Sequence, residues 1–160
     1  MAKQHLRGMN QVMKALNKEV EAIKGRSLEG LIVASIIIRR SMEDTSPKIP
    51  VDFGNLRSSW FTVTSTGAVE SGGSPSFEGN NANELGQAHS QALSHAQGLA
   101  EQPKVPTVVF GFGANYAVKV HEEVDAQFKR PGSGAKFLEA AIKRNKKQIL
   151  EIIRKYATIK

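Results

Sequence analysis

Four histidines are the first side chains to consider for chemistry, because imidazole binds metals and exchanges protons near neutral pH. His89 and His95 are six positions apart, and no carboxylate stands at the spacing that a zinc-protease helix uses. His121 precedes Glu122 and Glu123, which gives a base with carboxylate neighbours, but the sequence around it offers no nucleophile. These patterns favour structural or interface histidines over a metal site or a catalytic pair.

Glycine-rich and cysteine-based sites have little support either. Gly111-Phe112-Gly113 begins like a dinucleotide-binding loop, but the third glycine and the following helix are missing, so a hairpin turn explains it. The chain has no Gly-Lys-Ser/Thr phosphate loop and no nucleophile elbow. Because it also has no cysteine, disulfides, thiolate metal ligands and thiol nucleophiles are excluded. We therefore expect no cofactor and no enzymatic activity.

Charge is divided unevenly along the chain. Residues 1–41 hold eight Lys or Arg against three Asp or Glu, residues 42–135 hold six against ten, and residues 136–160 hold eight against two. Basic ends and an acidic middle would suit contact with nucleic acid. They would also suit an assembly in which the ends of one subunit meet the middle of another, or they are the solvated faces of amphipathic helices. The sequence leaves these three alternatives open.

Bulk composition bounds the class of protein. With 160 residues, of which 40% are hydrophobic and 23% charged, the chain has the size and composition of one soluble globular domain. Its most apolar run, residues 31–38, is far shorter than the ~20 residues of a membrane helix. No apolar signal-peptide stretch follows Lys3 and Arg7. We expect a protein made in a reducing cytoplasm, with no membrane partner.

Helical periodicity marks both ends of the chain. Apolar residues over 6–23 are spaced alternately three and four apart, which predicts an amphipathic helix of about 18 residues. We predict that Gly25 ends this helix and that Ser27 begins a second one reaching Glu43. Over residues 135–156 apolar and basic side chains separate onto opposite sides of a last helix.

Strand patterns occupy the middle of the chain. Residues 60–65 alternate and are rich in β-formers, which predicts a strand. Residues 105–113 and 116–123 are predicted to form a hairpin across the turn at 113–115.

The predicted fold class is α+β. Residues 67–103 are rich in Gly, Ser, Asn, Ala and Gln, and we expect a flexible or partly helical insertion with a helix over 83–99. One hypothesis makes this insertion a mobile arm whose removal leaves folding intact. The whole chain, residues 1–160, is then one domain in which N-terminal and C-terminal helices cover a small antiparallel sheet, with the long insertion between strands.

Three segments, taken in order, resemble one protein family. Residues 50–59, PVDFGNLRSS, are similar to the family's proline-valine-aspartate-threonine-glycine-x-leucine-arginine-x-serine stretch, with Phe53 in place of threonine. Residues 115–122 are similar to its tyrosine-alanine strand, which ends in His or Glu and an acidic position. Residues 134–141 are similar to the phenylalanine-leucine start of its last helix. The family is that of the small head-to-tail joining proteins of long-tailed bacteriophages, also called neck, tail-completion or minor tail-component proteins.

The resemblance implies a structural virion protein. Such a protein forms a homo-oligomeric ring, of six copies, between the connector on the portal side and the tail tube. DNA leaving the capsid passes through the channel of the ring. The resemblance does not distinguish the connector, stopper and tail-terminator levels of this junction. Non-specific DNA binding by the basic terminal helices stays as the alternative function.

The candidate site consists of the turn motif and six further residues. Asp52 is predicted to cap the backbone at Gly54, and Arg57 to pair with an acidic residue such as Glu122. The turn motif comprises Pro50, Val51, Asp52, Gly54, Leu56 and Arg57. The residues that we expect in the core or in a subunit interface are Trp60, Tyr116, His121, Glu122, Phe137 and Leu138.

Overall fold

Helices at both ends of the chain enclose a three-stranded sheet in the computed structural model, which describes residues 2–70 and 75–158. The fold is α+β, with an antiparallel sheet, as predicted. Its elements are α1 (Ala2–Asp44), α2 (Asn55–Ser58), β1 (Trp60–Thr64), β2 (Gly67–Glu70), α3 (Ala82–Glu101), β3 (Val108–Phe112), α4 (Ala117–Glu122) and α5 (Phe137–Ala157).

The sheet has the order β2-β1-β3, and both pairings are antiparallel. β1 lies in the middle and is buried along its whole length, as its β-branched and aromatic composition favours. Alternation sends Phe61 and Val63 towards α3, where they pack with Ala96 and Ala100. Trp60 belongs to the main core cluster on the other side of the sheet.

The N-terminal region is one helix, α1, rather than the predicted two. Gly25 lies inside it, and an ion pair of 3.0 Å between Arg26 and Glu19 spans the glycine. A single exposed glycine costs a helix only about 1 kcal/mol relative to alanine. The strong helix formers on either side outweigh that cost, so the predicted break at Gly25 is wrong.

α1 and α5 pack antiparallel. Gly30 faces Tyr156, Arg26 donates to the Thr158 carbonyl at 3.4 Å, and further along α1 Ser41 accepts from Arg144 at 3.0 Å. This register leaves the residues of α1 that precede Arg26 beyond the end of α5.

The predicted second strand of the hairpin, residues 116–123, is wrong, because this segment forms the short helix α4. Ala117 is buried and Val120 packs against the core, whereas Val118 is 75% exposed. A strand would place Val118 and Val120 on the same face, so the observed burial fits helical spacing. Both sides of β1 are already occupied by β2 and β3, which leaves a further strand only an edge.

The insertion holds ordered structure. The predicted helix over 83–99 is confirmed as α3, and residues 67–70, expected to be irregular, pair with β1 as β2. α3 buries Leu85, His89, Ala96 and Ala100 and covers one face of the sheet. The hypothesis of a mobile arm therefore does not fit α3.

Candidate functional site

The three family-like segments, distant in sequence, meet in one packed unit. Leu56 from the turn motif, Ala117 from α4 and Phe137 from α5 belong to one buried cluster, together with Ile49. The backbone amide of Lys136 donates to the His121 carbonyl at 2.7 Å, which joins the second segment to the third.

The turn motif is shaped by a left-handed glycine. Gly54 has φ 84°, a conformation that side chains rarely adopt, and it precedes α2. The predicted cap by Asp52 is wrong: no side chain caps α2, and the Asp52 carboxylate instead accepts from Lys129 at 2.6 Å. This ion pair is exposed and joins the turn to the segment that follows α4.

Asn55, which the sequence did not single out, anchors the turn. Its amide nitrogen donates to the Glu78 carbonyl at 2.8 Å, and its amide oxygen accepts from the Glu78 backbone amide at 2.8 Å. Because Asn55 is buried, this pair of bonds fixes the start of α3 relative to the turn motif.

Arg57 pairs with Glu43 near the end of α1, so its predicted partnership with Glu122 is wrong. The Glu43 carboxylate lies 2.8 Å from Arg39 and 3.0 Å from Arg130, and 3.9 Å from Arg57. Arg130 also donates to the Glu43 carbonyl at 2.9 Å. Three arginines around one carboxylate tie α1, the turn motif and the segment before α5 together.

A cleft of about 590 Å³ opens between the turn motif, the start of α3, α4 and the segment after α4. We call it the motif cleft; it is lined by Pro50, Val51, Asp52, Phe53, Gly54, Asn55, Leu56, Glu78, Gly79, Asn80, Asn81, Leu85, Tyr116, Val120, Gln127, Phe128 and Lys129. Five of the six residues of the predicted turn motif line it, and Arg57 does not.

Tyr116 carries the second segment into the motif cleft. Burial raises the pKa of its hydroxyl, the Asp52 carboxylate raises it further, and a hydrogen bond with the backbone of Leu56 partly opposes both. The hydroxyl therefore stays protonated and acts here as a polar contact between α4 and the turn.

His121 and Glu122 form a surface cluster with Lys136. His121 Nδ1 lies 2.7 Å from a Glu122 oxygen, and Lys136 donates to the other oxygen. Hydrogen bonds with Lys136 first, and with His121 second, lower the pKa of Glu122. No nucleophile takes part in the described contacts of this cluster. The contacts among His121, Glu122 and Lys136 join α4 to the start of α5.

The six residues expected in the core or at an interface divide by burial. Trp60 and Phe137 lie in the core of the chain itself, 9% and 1% exposed. Tyr116, His121 and Leu138 are half-buried, and Glu122 is exposed. Trp60 packs on Phe110 and Phe112, and Phe137 packs edge-on against Phe112. Their aromatic surface is thus used within the subunit.

The end of α1 is capped by α5. Arg144 donates to the carbonyls of Ser46 at 2.8 Å, Ser41 at 3.3 Å and Thr45 at 3.4 Å. The Ser41 carbonyl also accepts from the Thr45 amide at 3.1 Å, and Thr45 and Ser46 follow the helix. Arg144 therefore places a cation at the negative end of the α1 dipole and donates to the carbonyls just beyond it.

Gly113, considered above as part of a nucleotide loop, serves close packing. A Cβ at this position would lie 2.7 Å from the Cα of His89. Its amide donates to the Ser59 carbonyl at 2.8 Å. β3 and α3 therefore approach each other at a point where a larger residue does not fit, which explains the glycine without a ligand.

The outer face of α5 is strongly basic. Lys146, Lys147, Arg154 and Lys155 are exposed, and none of them forms an ion pair within the described part of the chain.

Within residues 2–70 and 75–158 the structure brings together no group of three or more His, Asp or Glu side chains that could hold a metal ion. In the same ranges no helix has the length and apolar character needed to span a membrane. Comparisons of the chain with protein-family models, with curated proteins and with solved structures found no match.

Proposed function

We propose that the chain is a structural protein of a tailed bacteriophage particle, a subunit of the ring that joins head to tail. The observation that carries the proposal is the convergence of residues 50–59, 115–122 and 134–141 on one buried cluster. Parts of one family motif would pack together in this way.

A closed ring needs two different patches on each subunit, because each copy meets the next head to tail. The basic outer face of α5 is one candidate. The other is the surface at α4, where Val118 and Val124 are 75% and 68% exposed beside the acidic Glu123 and Asp125. Their opposite charges make these two patches complementary, and the exposed apolar area at α4 is surface that a neighbouring copy would cover.

The action of such a ring is mechanical. Its two rims contact the connector and the tail tube, and its channel, surrounded by six copies as the resemblance implies, passes the DNA. No bond is made or broken by the protein in this role. The half-buried ion pairs of Glu43 and the contacts of Arg144 suit it, because they join α1 to the turn motif and to α5.

Mass spectrometry of purified phage particles tests the proposal. We expect the chain in the virion at a few copies, and we expect a deletion of its gene to yield filled heads and separate tails. Particles that lack the chain, or normal infectious particles after the deletion, would contradict it.

A variant pair makes the test specific to the α4 patch. Val118→Arg should prevent assembly of infectious particles without unfolding the chain, because Val118 is 75% exposed. Val105→Arg, at a position that is 66% exposed and outside this patch, is the matched control and should assemble normally.

Non-specific DNA binding is a second candidate, favoured by the unpaired cations on the outer face of α5. Binding of this kind weakens with salt, with a log–log slope of about −0.9 for each phosphate contacted. Replacing Lys146, Lys147, Arg154 and Lys155 by Gln should flatten that slope, whereas Lys104→Gln with Lys119→Gln should not. A chain that is missing from virions but shows the steep slope would favour this candidate over the ring.

A further inference from the structure

The first part of α1 extends beyond the rest of the fold. Tyr156 packs at Gly30 and Thr158 lies at Arg26, so α5 ends where this part of α1 begins. We call residues 2–25 the N-terminal arm; at 1.5 Å per residue it is about 36 Å long. The helix of the arm continues into the packed half of α1 without interruption.

The arm carries an apolar stripe with no partner in the described chain. Met9, Met13, Leu16 and Val20 are 61%, 48%, 55% and 40% exposed. Soluble proteins seldom leave a row of large apolar side chains in water unless another surface covers it. The stripe is therefore a docking surface.

The spacing of the stripe identifies its partner. Met9, Met13, Leu16, Val20 and Ile23 follow one another at intervals of four, three, four and three residues. This is the seam of a coiled coil, in which apolar residues recur every 3.5 positions and pack against an identical seam. We propose that the N-terminal arm pairs with the arm of a second copy of this chain as a parallel coiled coil.

Charge complementarity selects the parallel direction. Met13 and Val20 take the a positions of the heptad, which puts Glu19 at a g position and Lys24 at the next e position. In a parallel pair these two positions face each other across the seam. Glu19 already accepts from Arg26 at 3.0 Å, and its carboxylate has further lone pairs for Lys24 of the second copy.

Other occupants fit the arm less well. A helix that lies on an anionic membrane has a wide apolar face and a basic polar face. The exposed apolar surface of the arm is the seam with Val12 beside it, and its flanks mix Lys14 and Lys18 with Glu19 and Glu21. Pairing is also favoured because the packed half of α1 has already nucleated the helix.

Analytical ultracentrifugation of the full chain over a range of concentrations tests the pairing. We expect reversible association that Met13→Gln with Leu16→Gln weakens by about tenfold or more, since both side chains leave the seam. Lys14→Gln with Lys18→Gln, on the outer side of the same turns, should associate like the unmodified chain. Both variants should keep the helical circular dichroism of the parent, because all four residues are exposed.

A charge exchange tests the direction. Glu19→Lys and Lys24→Glu should each weaken association about fivefold, because like charges then face each other. An equimolar mixture of the two single variants should associate at least as tightly as the unmodified chain, because opposite charges again face each other across a parallel seam.

Three results would overturn the inference. The first is that the chain stays monomeric at its highest soluble concentration. The second is that the Met13 and Leu16 substitutions do not change the association. The third is that the chain binds anionic phospholipid vesicles through the stripe and does not self-associate. The inference does not depend on the phage proposal. Absence from virions would contradict that proposal and leave the association in solution as it was measured.

Discussion

Asn55 stands directly after the left-handed glycine of the turn motif, and both ends of its amide bond the backbone of Glu78. No pattern in one sequence marks such a residue, because an asparagine in a turn is common and its partner lies 23 positions away. The bond pair nevertheless holds together two walls of the motif cleft.

Replacing Asn55 by Asp removes the donor and puts a carboxylate against the Glu78 carbonyl. We expect the free energy of unfolding to fall by about 1–3 kcal/mol, because the Glu78 carbonyl loses its donor and the new carboxylate is buried at position 55. Urea denaturation measures this. Asn80→Asp, on an exposed residue that lines the same cleft, is the control and should change stability little. Equal effects of the two substitutions would mean that the amide pair contributes nothing.

His89 is buried between α3 and the sheet, with its ring edge-on to Phe61 and Phe77. Burial lowers its pKa below the ordinary value of 6.5, and a hydrogen bond with the Ser59 backbone partly opposes the shift. The folded chain therefore favours the neutral ring, while the unfolded chain takes up a proton first as the pH falls.

As the pH falls below about 6.5, the free energy of unfolding should decrease by at most ~1.4 kcal/mol per pH unit. The decrease should stop once the pH is below the folded-state pKa of His89. Urea denaturation at several pH values from neutral to mildly acidic measures the slope. His89→Gln should remove it, whereas His95→Gln, an exposed histidine on the same helix, should keep it. A slope that survives the loss of His89 would assign the effect to other groups.

Among the elements, α1 shows where a glycine signal misleads. Gly25 and Gly30 are both in this helix, yet nothing lies within 4 Å of a Cβ built at Gly25, while one at Gly30 lies 2.8 Å from the Tyr156 Cβ. The sequence pattern predicted a break at Gly25 and continued the second helix through Gly30. Only the packing of α5 shows that Gly30 is needed and that Gly25 is tolerated.

The two glycines give a matched pair of variants. Gly25→Ala should stabilise the chain by about 0.5–1 kcal/mol through helix propensity. Gly30→Ala should destabilise it by about 1–3 kcal/mol, because the added methyl group pushes α1 away from α5. Thermal or urea unfolding distinguishes them. Stabilisation by both would show that the approach of the two helices is looser than the structure has it.

Periodicity predicted the elements whose own side chains determine them. α5 has a long apolar stripe, β1 has a run of β-formers, and α3 has Ala and Leu at loosely helical intervals, which were enough to predict all three. α4 has six residues, over which alternation and a single helical turn look alike in sequence. The burial of Ala117 and Val120, with Val118 exposed, is what identifies the helix.

At the scale of the whole molecule, the turn motif was predictable as residues but not as contacts. Asp52, Arg57 and Glu122 carry charges whose partners depend on how distant segments meet. Their actual partners are Lys129, Glu43 and Lys136, which lie 77, 14 and 14 positions away. From the sequence alone, many other pairs of opposite charge are equally plausible. Burial and chain path therefore decide the pairing, and a single sequence carries neither.

α3 forms a third layer of the molecule. It lies on one face of the sheet, and the core to which α1 and α5 contribute lies on the other face. Ala100 is 0% exposed and packs with Phe61 and Val63, although the composition around it is typical of a loop. If α3 is part of the core, a charged side chain introduced at position 100 is buried away from water and has no group of opposite charge to pair with.

We expect Ala100→Glu to lower the free energy of unfolding by about 3–5 kcal/mol or to prevent folding, because an unpaired buried carboxylate is strongly destabilising. Ser94→Glu adds the same side chain to an exposed position of α3 and should leave stability nearly unchanged. Urea denaturation and limited proteolysis measure both. If Ala100→Glu unfolded no earlier than Ser94→Glu, α3 would separate from the sheet at little cost, and the insertion would act as a mobile arm after all.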